Sequence, residues 1–172
     1  MPEGEKPGKP GPENREPGIY TLLLHLDRSR EITVGSLNEL SFLEGYYSYT
    51  GSARGPGGLK RVERHMRVLE GTNSSRRWHI DYLLPYASVV EIFVINTRQN
   101  LECCIARRIG EVLASVKGFG CTDCRCVSHL HYSPELNRMK DAISSACHSI
   151  NQLGAGQPVQ TDVSDGAVGP KL

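Results

Sequence analysis

The order of its strand-forming and helix-forming segments most constrains what this chain can fold into. Residues 20–26 read YTLLLHL and residues 45–50 read GYYSYT, and both segments are rich in residues that favour strands. A turn at residues 27–30 leads into a short segment at 31–34, and another short segment follows at 40–43. We therefore expect two principal strands with an additional hairpin inserted between them.

Helical patterns follow this strand-rich half. Leu59, Val62, Met66 and Leu69 recur at helical spacing with charged residues between them, which predicts a helix over 59–69. Residues 79–84 predict a short helix that ends near a proline, and 89–96, VVEIFVIN, predicts a strand. Two more helices are predicted over 100–116 and 135–153. Strands and helices in this order indicate an α+β or α/β domain.

Composition separates one domain from two flanks. The chain has 172 residues, of which 38% are hydrophobic and 23% charged, which suits a globular domain at residues 18–150. Residues 1–17 hold five of the ten prolines and predict a disordered arm, and residues 151–172 lack periodicity and predict a disordered tail. No apolar run is long enough for a membrane span or a secretory signal, so we expect an intracellular, cytoplasmic protein without a membrane partner.

Five sequence elements together resemble the signature of a nuclease superfamily. They are the GIY at residues 18–20, the YTG at residues 49–51, the helical pair Arg61 and His65, and Glu102 on a later predicted helix. In kind and in order, they resemble the signature of the GIY-YIG nucleases. This resemblance implies a small mixed, mainly antiparallel sheet flanked by helices. It also implies Mg²⁺-dependent, or Mn²⁺-dependent, hydrolysis of phosphodiester bonds in DNA.

The chain also resembles a divergent branch of this nuclease superfamily, and this resemblance covers nearly the whole domain. The segments GYYSYTGSA at 45–53, RVERH at 61–65, WHIDYL at 78–83 and DCRCVSHL at 123–130 resemble those of the DUF123 family. Some members of that family are fused to an endonuclease III-type repair enzyme, which implies a setting in DNA repair.

The resemblance assigns roles that suit the chemistry of these residues. Glu102 would hold the metal ion, because one carboxylate together with waters and a substrate phosphate can retain Mg²⁺. Arg61 would bind a phosphate oxygen through its forked guanidinium. Tyr20 or Tyr49 would bind the attacking water or take its proton, with His65 sharing that proton.

Basic residues are concentrated between residues 53 and 77, where seven arginines and lysines accompany only two acids. This segment is a candidate surface for nucleic acid, with DNA expected as the partner. The proposed contacts are Arg54, Lys60, Arg64 and Arg67. Two alternatives remain open: a solvated helix face, and a nucleic-acid-binding module without catalytic activity.

A dense cysteine and histidine stretch follows, containing Cys121, Cys124, Cys126, His129 and His131. One interpretation is a Zn²⁺ site, which would make this a zinc-stabilised interaction protein. A packed turn with buried thiols, or a second surface near the active site, is the other. Cys124, Cys126 and His129 are the residues retained as additional site candidates, together with His79 and Asp81.

Ordinary structural roles could also explain the motif residues. Tyr46, Tyr47 and Tyr49 could pack in a strand, while Arg61 and His65 could lie on the surface of an amphipathic helix. Glu102 could point to solvent from the middle of a helix. The sequence does not decide between these roles and the catalytic ones.

Overall fold

The structure is a computed structural model that describes residues 15–152 and the backbone of residues 158–162. Its eight strands are β1 (Gly18–Leu26), β2 (Arg30–Thr33), β3 (Glu39–Phe42), β4 (Gly45–Ser52), β5 (Ala87–Asn96), β6 (Ala114–Ser115), β7 (Leu130–Ser133) and β8 (Pro158–Asp162). Its four α-helices are α1 (Lys60–Leu69), α2 (Ile80–Leu83), α3 (Glu102–Gly110) and α4 (Leu136–Asn151).

Six strands form one sheet in the order β6-β7-β4-β1-β5-β8, and every pairing in it is antiparallel. The two remaining strands, β2 and β3, form a separate hairpin. This hairpin lies in the chain between β1 and β4, which are neighbours in the sheet. The molecule is therefore an α+β domain, as the order of its segments predicted, with the mainly antiparallel sheet flanked by helices that the family resemblance implied.

Strand β1 lies between two hydrophobic cores, one on each face of the sheet. Tyr20, Leu22 and Leu24 enter a first core, where they meet α1, α2 and the β2-β3 hairpin. Ile19 and Leu23 enter a second core, which α3 and α4 cover. Because successive side chains of a strand point to opposite faces, a strand buried on both sides has to be apolar throughout. This explains the unbroken LLL of the β1 sequence.

The predicted elements are observed with adjusted boundaries. The inserted hairpin is present, and the helix predicted at 59–69 is α1. The helix predicted over 100–116 is too long, because α3 ends at Gly110 and the chain then enters the short strand β6. The sequence patterns missed β6 and β7, which are only two and four residues long. Both form by pairing with residues elsewhere in the sequence, β7 with β4 and β6 with β7, and a local pattern does not reveal such pairing.

The two ends of the chain are described only in part. The arm predicted at 1–17 lies outside the described residues except for its last three positions. In the range 151–172, Asn151 ends α4, and β8 pairs with β5 at the edge of the sheet. That range therefore includes one strand that its composition did not predict.

Within the described part of the chain, no helix has the length and apolar character that crossing a membrane requires.

Candidate active site

A polar cleft of about 550 Å³ opens where the GIY and YTG strands meet the first turns of α1 and α3. It contains four of the sequence-predicted catalytic and metal-binding residues. Its lining consists of Tyr20, Tyr49, Ser52, Arg54, Gly55, Arg61, Arg77, Trp78, His79, Glu102, Gly120, Thr122 and Asp123. Residues far apart in sequence thus converge on one concave surface.

The pairing of β1 with β4 places the Tyr20 ring in this cleft. In that register, Tyr20 lies directly opposite Gly51. A Cβ atom added at Gly51 would overlap the ring and hydroxyl oxygen of Tyr20. The absence of a side chain at residue 51 is what lets the Tyr20 ring lie across the neighbouring strand.

Behind the cleft, Tyr20 begins a chain of three buried side chains. Its hydroxyl lies 2.8 Å from Nε2 of His65, and Nδ1 of His65 lies 3.2 Å from Oδ1 of Asp81. The side chains of His65 and Asp81 are both fully buried. With the His65 proton on Nδ1, His65 donates to Asp81 and accepts from the tyrosine.

Asp81 is held by several donors at once. Arg64 makes two hydrogen bonds to the carboxylate, at 3.0 and 2.9 Å, and the backbone N–H groups of Arg77 and Trp78 donate to Oδ2. Burial by itself would raise the pKa of Asp81, but the hydrogen bonds from His65, Arg64 and these backbone groups outweigh it and lower the pKa. Asp81 is therefore an ionised anchor behind the cleft rather than part of its lining.

Burial moves the pKa values of the tyrosines and of the histidine in opposite directions. It raises the pKa values of Tyr20 and Tyr49, with Glu102 contributing in the same direction. It lowers the pKa of His65, although Asp81 opposes part of that shift. At neutral pH, both phenols keep their protons, while His65 is uncharged and can accept one.

Arg61 is fixed at the edge of the cleft by two contacts. Its Nη1 donates to the backbone carbonyl of Ser52 at 2.6 Å, and its guanidinium lies 4.7 Å from the centroid of the Trp78 ring. The guanidiniums of Arg64 and Arg77 contact the same ring. Trp78 thus orients Arg61 by cation–π contact while leaving it accessible to a ligand in the cleft.

Two carboxylates line the same cleft as the arginines. Glu102, in the first turn of α3, has a side chain that is 21% exposed, and Asp123 lies in the loop before β7. Carboxylate oxygens are the kind of ligand that hard divalent cations take from proteins. Asp123 and Arg77 were not among the sequence-predicted site residues, although Asp123 begins the DCRCVSHL segment and Arg77 directly precedes the WHIDYL segment.

The predicted nucleic-acid contacts divide between the cleft and other surfaces. Arg54 is exposed and lines the cleft. Lys60 and Arg67 lie on α1 outside the cleft lining, and Arg64 is committed to Asp81. The positive charge that faces the cleft therefore comes from Arg54, Arg61 and Arg77.

His79 supports the wall of the cleft. Its Nδ1 accepts a hydrogen bond from the backbone N–H of Gly120 at 3.0 Å, and its ring packs 5.6 Å from that of Phe119. Burial lowers the pKa of His79, which suits a neutral acceptor. A Cβ at Gly120, where φ is +74°, would press within 3.0 Å of the Tyr49 ring. The loop can therefore pack this closely against the cleft because residue 120 is a glycine.

A second cluster lies next to Glu102. The side chains of Cys103, Cys124, Cys126 and His129 bring one ligand atom each within 4.8 Å of one another, an arrangement that could hold a metal ion. Three of these residues belong to the cysteine-rich stretch, but Cys103 comes from α3. Cys121, in contrast, lies outside this group, with its Sγ 3.7 Å from the carbonyl of Val127.

His129 connects this cluster to the cleft. Its Nδ1 lies 2.9 Å from Oε1 of Glu102. This distance suits a hydrogen bond, but the angle between the two groups does not. Its Nε2 faces the thiols of Cys103 and Cys124. A single buried histidine ring therefore separates the carboxylate of the cleft from the cysteine cluster.

One family model matches the chain, over residues 19–152, and its description is a domain of unknown function, DUF123. This range covers most of the chain and includes every residue that lines the cleft. No curated protein and no solved structure matches the chain.

Proposed function

The chain belongs to the DUF123 family, and on that premise we propose that it is a Mg²⁺-dependent endonuclease acting on DNA. One observation carries the proposal: Tyr20, Tyr49, Arg61 and Glu102 line the same cleft, with His65 bonded to Tyr20 from behind. The proposal extends the resemblance to GIY-YIG nucleases, and the antiparallel pairing of the GIY and YTG strands supports it.

The arginines supply the binding of the scissile phosphate. Arg61 would bind a nonbridging oxygen, because its guanidinium is fixed by Ser52 and Trp78 and is permanently charged. Arg54 and Arg77, both exposed at the cleft, would bind neighbouring phosphates of the strand. These contacts are electrostatic and do not depend on base sequence.

The buried chain behind Tyr20 supplies the route for a proton. A water attacking phosphorus would lose its proton to the Tyr20 oxygen while the Tyr20 proton moves to Nε2 of His65. Asp81 would then stabilise the resulting imidazolium. Because the phenol gives up one proton as it gains another, no phenolate accumulates, which suits a tyrosine whose pKa burial has raised.

The carboxylates supply the place for a metal ion. Glu102, with Asp123 in the same cleft, would hold Mg²⁺ or Mn²⁺. When bound, the ion would polarise the phosphoryl group and stabilise the departing oxygen. Tyr49, whose ring centroid lies 6.4 Å from that of Tyr20, would help to orient the attacking water.

Cleavage assays with matched variants test this proposal. Purified protein is incubated with nicked, branched and single-stranded DNA and either Mg²⁺ or Mn²⁺. Arg61→Ala and Glu102→Ala are expected to abolish cleavage. Their controls, Arg108→Ala and Glu111→Ala, lie at the other end of α3, outside the cleft, and are expected to retain it. Cleavage that survives both cleft variants would refute the proposal.

A non-catalytic nucleic-acid-binding module is the second candidate, favoured by the exposed arginines at the cleft. It predicts salt-sensitive DNA binding without cleavage under either metal. Charge reversal at Arg54 and Arg77 tests it, since within the described residues neither side chain forms an ion pair with a buried carboxylate, whereas reversal of Arg64 would break its pair with Asp81. Binding unchanged by that double reversal would exclude it. An intracellular location and a role in DNA repair stay predictions.

A further inference from the structure

The cysteine cluster beside the cleft has the composition of a metal site. Three thiols and one imidazole converge from two separate parts of the chain, with Cys103 at the start of α3 and Cys124, Cys126 and His129 in the segment before β7. Thiolate and imidazole ligands together favour Zn²⁺ over the hard cations that carboxylates bind. The four residues make up a complete Cys₃His set, with no position left for a substrate.

The spacing of the ligand atoms fits one tetrahedral ion. Zinc–sulfur and zinc–nitrogen bonds of about 2.3 and 2.0 Å place the ligand atoms of a tetrahedron roughly 3.5–3.8 Å apart. Nε2 of His129 lies 3.5 Å from Sγ of Cys124 and 3.8 Å from Sγ of Cys103. All four atoms lie within 4.8 Å of one another. The group therefore needs only small side-chain adjustments to close around a single ion.

His129 is arranged as zinc-binding histidines usually are. Its ring is 1% exposed, Nε2 faces the thiols, and the opposite nitrogen, Nδ1, lies 2.9 Å from the Glu102 carboxylate. A carboxylate at that position favours the proton on Nδ1, which leaves the lone pair of Nε2 for a metal. Glu102 and Cys103 are consecutive residues, so the first turn of α3 approaches both sides of the same imidazole.

We propose that Cys103, Cys124, Cys126 and His129 bind one structural Zn²⁺, with Glu102 holding His129 from outside the coordination shell. The ion would join the start of α3 to the loop that carries Gly120 and Asp123 into the cleft. The proposal does not rest on the nuclease activity, because the ligands and the carboxylate contact are present whether or not DNA is cleaved.

Metal analysis of protein purified under reducing conditions without added metal or chelator tests the site. About one Zn²⁺ per chain is expected. Cys103→Ser and Cys126→Ser should lose the zinc, whereas Cys104→Ser and Cys121→Ser, which change cysteines outside the group, should keep it. Protein that contains no zinc, and that takes up neither Zn²⁺ nor Co²⁺ in a titration, would overturn the proposal. Zinc retained at full affinity by Cys103→Ser would also overturn it.

The role of Glu102 is tested by zinc affinity in competition with a chelator. Glu102→Ala should weaken zinc binding by roughly 10- to 100-fold, the usual effect of removing an outer-shell carboxylate. Glu111→Ala, at the other end of α3, is the control and should leave the affinity unchanged. An unchanged affinity in Glu102→Ala would remove Glu102 from the proposed site. Neither measurement uses DNA, so the result is independent of the nuclease proposal.

Discussion

At the scale of single residues, the cleft depends on a carboxylate that does not line it. Asp81 receives hydrogen bonds from the Arg64 side chain and from two backbone N–H groups, and it also contacts Nδ1 of His65. Asp81 is one of the site candidates from the sequence, and in the structure it lies behind His65 and holds that ring in place. Hydrogen bonds of this kind cannot be predicted from the sequence, because they depend on the packing of α1 against α2.

Asp81→Asn should lower the free energy of unfolding by about 2–4 kcal/mol, since it leaves the partly buried Arg64 without its countercharge. Because the fold lowers the pKa of Asp81, its stabilising effect is present above the ordinary value of 3.8 and is lost as the pH falls through the lowered pKa. Denaturant unfolding at neutral pH measures the change. Asp27→Asn, in an exposed pair, is the control and should change stability little. Equal effects of the two substitutions would contradict this role.

The proposed proton transfer to His65 sets the expected pH dependence of cleavage. His65 accepts a proton only when it is neutral, and burial lowers its pKa from 6.5. The single-turnover rate should therefore be flat above about pH 6.5 and fall only at more acidic pH. Rates between about pH 5 and 9 at fixed Mg²⁺ measure this profile. A rate that rises steadily from neutral to alkaline pH would indicate ionisation of a tyrosine and contradict the proton route.

At the scale of elements, the sequence predicted the segments that are long and strongly patterned. The β1 segment and the α1 helix were predicted because an apolar run and a helical repeat are local properties. The end of α3 and the strands β6 and β7 were not, since their formation depends on neighbours distant in sequence. For the same reason Cys103 was missed: it lies in a helix far along the chain from the cysteines it joins.

The pairing of β1 with β4 makes Gly51 a structural requirement of the cleft. Gly51→Ala should displace the Tyr20 ring, lower stability by about 1–3 kcal/mol and reduce cleavage, because the added methyl group overlaps that ring. Thermal unfolding and cleavage assays measure both effects. Gly55→Ala is the matched control, since Gly55 also lines the cleft but has no atom within 4 Å of an added Cβ. Normal cleavage by Gly51→Ala would show that the Tyr20 position does not matter.

At the scale of the whole molecule, the cleft and the cysteine cluster share the first turn of α3. Glu102 faces the cleft while the adjacent Cys103 belongs to the cluster, and His129 lies between them. Six of the thirteen residues that line the cleft are site candidates from the sequence, because they lie in short motifs or in the basic segment. Their convergence, and the contribution of Asp123 and Arg77, became apparent only from the folded arrangement.

The most direct test of the proposed catalytic role of the cleft is the single-turnover cleavage rate of Tyr20→Phe in Mg²⁺, with protein in excess over DNA. This substitution removes only the hydroxyl that meets His65, so the fold and DNA affinity should be retained. We expect a rate loss of about 100-fold or more at unchanged DNA affinity. A Tyr20→Phe protein that folds, binds DNA and cleaves at the wild-type rate would contradict it.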